Sequence, residues 1–579
     1  MKIAANSHRR IQLLTWLLFF AIIIFIGRLF QLQILQHDYY TELAQSEQIK
    51  QLVIPAARGE IYALDKGRPA ELVLNETVYT VFVDPVVAKD PRAIEKAVNE
   101  IAGGTAVDDI AKLAEAKPSR YQIVAREVTR KQAELLKEKK LAGLGFQESS
   151  RRIYPEGKLA AQVLGFVNAE GKGQYGVEGA LNSKLQGKDG LRRSVTDITN
   201  VPLTIGSENT ETPARHGENV VLSIERNVQS YTESALKKGM QEYGATKGSA
   251  LVMDPNTGRV LAMANYPTYN PEKYGTVRDA AQFNNGIIST PYEPGSVMKT
   301  FTVATALDKG AITPKSTYNN TDYIRVGDRT ITNAVKGQTG TITFQHALNW
   351  SLNTGMVTVA QRLGDGKSIT YDARSTMYDY FHDRFGLGER TGIELSGEVQ
   401  GNVIAPSSPE GNAVRYSNMA FGQGLDITML QVAAGFSSMI NGGEYYKPTI
   451  IAGSVDEDGV YHSVPDPEPL RRTISAEASK TTKKMIRDAR RAFYAQSDRS
   501  GYDVGGKTGT SQGIVNGKYT FDETIGSYLG YGGDTKPRYV IMVQVSAKGK
   551  KMEGNIHAQP IFTKISNWMI DYMALQPKG

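Results

Sequence analysis

The 579-residue chain contains no cysteine. That absence excludes a disulfide framework, a thiolate zinc site and a cysteine nucleophile. It also fits an oxidising, extracytoplasmic setting, where stray thiols are a hazard. Histidine is scarce: seven residues, at positions 8, 37, 216, 346, 382, 462 and 557, are scattered with no pair at ligand spacing. No metal site is expected from them. Neither sign of charge dominates. A formal net charge of +7 is small for this length and fits either simple solubility or contact with an anionic envelope polymer or membrane surface. Basic blocks interleaved with aromatics are missing, which argues against nucleic acid as a partner. Internal repeats and low-complexity tracts are also missing.

Long apolar runs occur at one place only. Ile11 to Ile26 is broken by nothing more polar than Gln12 and Thr15, follows Lys2, Arg9 and Arg10, and continues as Leu29, Phe30, Leu32, Ile34 and Leu35. With Gly27 the run reaches the roughly 17 residues a membrane helix needs. We expect residues 1–10 to be a cytoplasmic tail and residues 11–35 a single-pass anchor in the cytoplasmic (inner) membrane. The basic flank puts the N-terminus inside and the remainder outside. A cleaved signal peptide is the rival, but Gly27-Arg28-Leu29-Phe30 offers no small-x-small cleavage site.

The rest is globular in composition, 40% apolar and 22% charged, and too long for one core. Residues 36–215 alternate strand-like runs (Val78 to Val83, Tyr121 to Val124) with helical ones (Ile94 to Ala102, Lys131 to Lys140). No clustered carboxylate or nucleophile stands out there, so the segment is expected to be an α+β pedestal. Residues 216–579 begin with Ile224, Val228, Tyr231 and Ala235 at helical spacing after a possible cap, Ser223. Two strands flank the turn signal Asp254-Pro-Asn-Thr-Gly258. Tyr528 to Tyr531 and Tyr539 to Val545 are further strands, and Ile561, Phe562, Ile565, Trp568, Met569 and Met573 share a helical face. Val455 to Pro469 is a polar, proline-containing excursion. Strands at both ends of the unit imply one sheet with a helical block between them.

That block opens with Pro294-Gly295-Ser296-Val297-Met298-Lys299 before the apolar run Phe301 to Leu307. Ser296 and Lys299 would share a helix face in the first turn. A serine needs a base to become a nucleophile, and a desolvated lysine can be one. Backbone N–H groups at a helix start can hold an oxyanion. Ser351-Leu352-Asn353 adds a second hydroxyl and an amide. Lys507-Thr508-Gly509-Thr510, after Gly505-Gly506, adds a cation, two hydroxyls and a glycine that lets backbones approach. Each triplet alone is more often a helix start, a cap or a turn. Ser234-Ala235-Leu236-Lys237 and Ser207-Glu208-Asn209 match equally well elsewhere.

Together and in this order the three resemble the signature of penicilloyl-serine transferases. The chain is similar to class B penicillin-binding proteins, the monofunctional D,D-transpeptidases of peptidoglycan synthesis. Tyr292-Glu-Pro-Gly-Ser296, Gly388-Glu-Arg-Thr-Gly-Ile-Glu394, Phe421-Gly-Gln-Gly-Leu425 through Gln431, Arg58-Gly59 and Gly176-Val-Glu178 share that resemblance. It implies an α/β transpeptidase domain of the serine β-lactamase-like fold, an antiparallel sheet flanked by helices. It implies no cofactor and no metal. Ser296 would attack the carbonyl of the penultimate D-alanine of a stem peptide, Lys299 would take its proton, and Ser351 would pass that proton to the leaving amine. Asn353 and Lys507 would tune Lys299. Lys507, Thr508 and Thr510, with Gly509 between them, would hold the terminal carboxylate, and the backbone N–H groups of Ser296 and Thr510 would form the oxyanion hole. A neighbouring stem's amine would then take the acyl group, and β-lactams would trap Ser296.

Leu352 stands where relatives often carry Ser or Asp, at a tolerant position. No acidic glycosyltransferase signature precedes His216, no penicillinase-like Glu-x-x-Leu-Asn follows Ser296, and with 29 residues after Lys550 no wall-binding modules are expected. By analogy the division (septal) subgroup fits better than the elongation one. It would bring a SEDS-type lipid II polymerase and divisome membrane proteins as partners, met through the anchor and pedestal. The face shared by Arg28, Gln31 and Gln33 is a candidate contact. A D,D-carboxypeptidase and a non-catalytic β-lactam-binding scaffold or sensor are the alternative functions.

Overall fold

Val252 and Ala250 face one way and Leu251 and Met253 the other, yet all four are buried. A strand buried on both faces must be sandwiched between helical layers, and the computed structural model has that arrangement. It describes residues 4–40, 49–195, 210–515 and 518–578, so the Ser207-Glu208-Asn209 match lies outside the described residues. The chain forms two compact units, one of residues 1–57 with 187–217 and one of 58–186 with 218–579.

The first unit contains the helix Ala4–Phe30, continued by a looser turn at Gln31–Leu35. Residues Ile11–Leu35 are long and apolar enough to cross a membrane, and none of that window is buried against protein. Arg28 donates to Gln31 Oε1 at 2.7 Å. A three-stranded antiparallel sheet of Ile49–Ile54, Gly190–Val195 and Thr210–Thr212 completes the unit.

The second unit holds two large sheets and, among the described residues, four two-stranded ones. In the seven-stranded sheet, Asn219–Glu225 runs between Ile61–Asp65, to which it is parallel, and Ile451–Val455, to which it is antiparallel. The sheet continues through Arg68–Val83 to Gln122–Thr129, with Leu144–Ile153 alongside. Helices Pro91–Ala102 and Arg130–Glu138 cover it, burying Ile94, Val98 and Leu136 against Val81 and Val124. Both helix starts are legible. Asp90 caps the first ahead of Pro91, and Thr129 forms a capping box with Gln132. Beneath this sheet the words Arg58-Gly59 and Gly176-Val-Glu178 meet. Arg58 and Arg152 both bind the fully buried Glu178 carboxylate, at 2.5 and 2.8 Å.

Ser223 is not a helix cap. Ser223 and Ile224 belong to the Asn219–Glu225 strand, and the Ser223 hydroxyl donates to the Val260 carbonyl at 2.7 Å. The helix starts at Arg226 and ends at Gly244, whose φ of +62° closes it. Apolar spacing runs unbroken through the strand–helix junction, which hid the boundary.

The five-stranded sheet is antiparallel throughout, in the order Val260–Tyr266, Lys247–Met253, Pro537–Ser546, Lys518–Gly533, Asp503–Val515. Its outer elements come from both ends of the segment. One face packs Ala250, Val252, Ile541 and Val543 against helices Arg226–Tyr243 and Gln559–Tyr572. The other packs Leu251, Met253, Val540 and Met542 against Phe301 and Phe436 of helices Lys299–Asp308 and Met429–Ile440. The strand carrying Lys507 lies at the edge, beside the turn carrying Ser296.

Candidate active site

Ser296 sits in a short 3₁₀ turn, Gly295–Met298, immediately before the helix Lys299–Asp308. Two glycines make that position possible. Gly295 has φ +61°, and a Cβ on it would lie 2.7 Å from the Thr510 carbonyl oxygen. Gly422, with φ +93°, approaches from the other side, where a Cβ would lie 1.9 Å from the Gly295 oxygen. The Gly295 N–H donates to the Gly422 carbonyl at 2.9 Å. The turn is therefore clasped between the Phe421-Gly422 loop and the Asp503–Val515 strand, an approach no side chain would allow.

One turn on, Lys299 is completely buried. Its Nζ donates to the Ser351 carbonyl (2.6 Å), to Asn353 Oδ1 (2.7 Å) and to the Ser351 hydroxyl (3.2 Å). Burial, and then the nearby charge of Lys507, hold its pKa well below the ordinary lysine value. Ser351 is in the left-handed region at φ +55°, which turns both its carbonyl and its hydroxyl towards that amine. Asn353 opens the helix Asn353–Arg362 and is anchored by donating to the Thr332 carbonyl at 2.9 Å. Lys507 is 4% exposed, and burial pushes it down to about 7. Two buried lysines thus face one site, and among the described residues no carboxylate is bonded to either.

A cleft of about 830 Å³ opens over Ser296. Six of the eight predicted residues line it: Ser296, Ser351, Asn353, Lys507, Thr508 and Thr510. Lys299 lies behind Ser351 and Asn353. Gly509 faces the turn, where a Cβ would come within 2.8 Å of the Pro294 oxygen and 3.2 Å of Val297. In the competing match, Ser234 and Lys237 lie on the exposed face of the helix Arg226–Tyr243.

A family model described as the penicillin binding protein transpeptidase domain matches residues 248–567. The chain belongs to the penicillin-binding protein transpeptidase family. A second model, the penicillin-binding protein dimerisation domain, matches residues 53–222. This penicillin-binding protein is 29% identical to stage V sporulation protein D of Bacillus subtilis, over 98% of this chain and 86% of that relative. It is 31% identical to PbpB of Mycolicibacterium smegmatis over 74% and 66% of the two chains. To the peptidoglycan D,D-transpeptidase FtsI of Escherichia coli it is 27% identical over 98% and 92%. Among solved structures, penicillin binding protein 3 of Mycobacterium tuberculosis complexed with aztreonam aligns with a TM-score of 0.68 at 26% identity, over 91% of this chain and 98% of that one. A peptidoglycan synthetase of Bifidobacterium adolescentis shares the fold at a TM-score of 0.73 and 23% identity, over 92% and 98%.

Sequence reasoning missed several groups in and behind the cleft of this penicillin-binding protein. Trp350, Phe493 and Tyr494 supply aromatic wall; Trp350 adjoins Ser351 and was the one with a local signal. Gln423 donates to Gln512 at 3.0 Å, tying the Phe421-Gly422 loop to the lysine strand. Lys551, Glu553 and Asn555 enter from the segment after the last strand, which carries no motif. Behind the sheet, the fully buried Arg490 side chain is bidentate to Asp498 (2.8 and 2.5 Å) and donates to Tyr528 (2.5 Å) and Thr563 (2.8 Å). The Tyr528 ring fills the space where Gly506 lacks a side chain, so Arg490 braces the strand next to Lys507.

Proposed function

We propose that the protein is a membrane-anchored, serine-type peptidoglycan D,D-transpeptidase that works through a Ser296 acyl-enzyme. The observation that carries this is the buried Lys299, whose pKa burial holds well below the ordinary lysine value and whose amine is bonded to Ser351 and Asn353 one helical turn from Ser296. Ser296 attacks the penultimate D-alanine carbonyl of a stem peptide, and its proton passes to Lys299. The backbone N–H groups of Ser296 and Thr510 stabilise the oxyanion. Ser351 relays the proton to the departing D-alanine, whose carboxylate is held by Lys507, Thr508 and Thr510. An amine from a second stem then takes the acyl group. β-Lactams stop the cycle at the first acylation. The relatives named transpeptidase and penicillin-binding protein support this reading.

Residues 11–35 anchor the chain with residues 1–10 in the cytoplasm, and both the pedestal (36–215) and the catalytic domain (216–579) stand outside the inner membrane. A division role agrees with the FtsI and PbpB relatives, and a SEDS-type polymerase would be its partner.

The test is to expose the purified protein and its Ser296→Ala variant to a fluorescent penicillin and map the adduct by mass spectrometry. A stable adduct on Ser296, absent from the variant, is expected. Label on Ser234, or none on a folded protein, would refute the assignment.

A further inference from the structure

The acyl-enzyme needs an amine as its second substrate, and a stem-peptide amine arrives from water as an ammonium ion. Among the described residues that line the cleft, Glu553 is the single carboxylate, and Lys507 and Lys551 are the two lysines. Its place is fixed. The neighbouring Gly554 N–H donates to Thr510 Oγ1 at 3.1 Å, and a Cβ on Gly554 would lie 2.2 Å from the Gly509 carbonyl. Glu553's own N–H donates to His557 Nδ1 at 2.8 Å, and the His557 N–H returns a bond to the Glu553 carbonyl at 2.9 Å. The Thr524 hydroxyl holds the Met552 carbonyl at 2.8 Å. The half-buried Glu553 is thus carried by backbone riveted to the two strands that form the carboxylate end of the cleft.

That end is where the terminal D-alanine departs. By microscopic reversibility the incoming amine must occupy the position the outgoing amine has left. We propose that Glu553 is the acceptor-docking residue, which draws the ammonium of the second stem peptide into the leaving-group end of the cleft. This rests on the transpeptidase reading above. The docked ammonium releases one proton to water. The free amine then forms the new C–N bond as the acyl carbon–Oγ bond of Ser296 breaks, and its second proton returns through Lys299 to Ser296 Oγ. Glu553 takes no part in the proton transfers and contributes to acceptor affinity.

The acyl-enzyme divides between water and added nucleophile, so the ratio of transfer to hydrolysis reports the acceptor step independently of how fast acylation occurs. The full-length protein in detergent would be given an acyl-D-alanyl thioester with either D-alanine, a zwitterion that presents an ammonium group, or methanol, a nucleophile with no ionic group. Glu553→Gln should lower the transfer ratio to D-alanine about tenfold, the scale of one charge-assisted contact. The ratio to methanol should move by less than about twofold on the same scale, and Glu553→Asp should recover part of the loss. Equal losses for both nucleophiles would make Glu553 a structural residue and overturn the proposal, as would an unchanged D-alanine ratio. Penicillin labelling of Ser296 in the same samples separates the two levels. Failure of label in the wild type overturns the transpeptidase reading and this inference with it; label with an unmoved ratio overturns this inference alone.

Discussion

Adding one methyl group at Gly509 should slow acylation without unfolding the protein. An ordinary contact begins near 3.4 Å, and a Cβ on Gly509 would sit 2.8 Å from the Pro294 carbonyl oxygen, 3.2 Å from Val297 Cγ1 and 2.3 Å from Ser527 Oγ. The Ser527 hydroxyl can rotate away. The Pro294 oxygen is backbone, two residues before Ser296, so the Ser296 turn has to withdraw from the lysine strand by about 0.6 Å. A misplacement of about 1 Å costs roughly 100-fold in rate, so this displacement should cost about tenfold. Overpacking costs about 1–3 kcal/mol, offset by about 0.5–1 kcal/mol from the stiffer unfolded chain. The net effect on Tm should be on the order of 2–5 °C. Stopped-flow acylation by a fluorescent penicillin reads the rate and differential scanning calorimetry the stability. Gly275→Ala, where nothing lies within 4 Å, serves as the control and should acylate normally. If Gly509→Ala acylates at the control rate, the Ser296 turn is not seated on that strand.

Lys507→Met should stabilise the fold while disabling the site, because it removes a buried cation that bonds only weakly to Thr508 (3.2 and 3.4 Å). The folded lysine sits near 7 against an ordinary 10.5, so the folded state binds fewer protons than the unfolded one. Its cost is complete below about pH 7 and fades as pH rises towards 10.5. Denaturant melts should show a gain on the order of 3 kcal/mol at pH 7 that disappears by about pH 10.5; a gain that grows with pH would refute the linkage. Ser351 holds φ +55°, so Ser351→Gly should be about 1 kcal/mol more stable than Ser351→Ala in the same assay, and equality would mean that the turn carries no strain. Arg490→Met should cost about 3–5 kcal/mol by stranding Asp498, with Asp498→Asn added in a double-mutant cycle restoring part of it. A loss under about 1 kcal/mol would remove Arg490 as the brace.

The residues that gather around the cleft were legible because their spacing is local. Ser296 and Lys299 are bound together by one helical turn, and Lys507 to Thr510 by one strand. What local patterns cannot carry is partnership across the fold. The words around Arg58 and Glu178 were visible, but not that they join each other and Arg152, since that contact spans 120 positions. Gly422 looked like part of a family word, and only the structure shows that Gly295 needs its missing side chain. Ser223 failed because a strand and a helix share one continuous apolar rhythm, so periodicity alone had no break to mark. Glu553 left no trace at all. Its importance comes from Gly554 resting against Thr510, and nothing in Met552-Glu553-Gly554 announces that neighbour.

The parallel pairing of Ile61–Asp65 with Asn219–Glu225 has a consequence for timing. Asn219 follows Asp65 by 154 positions, so at about 5–20 residues per second the ribosome needs roughly 8–30 s to supply the partner. Ile61–Asp65 can join Arg68–Val83 at once, but its other edge stays open for that interval. Asn219–Glu225 then waits longer still for Ile451–Val455. An unpaired apolar edge invites pairing with other chains. The newborn protein therefore passes through a period of adhesiveness set by the order of its genetic message, and whatever escorts the nascent chain has to cover that edge for as long as the wait lasts.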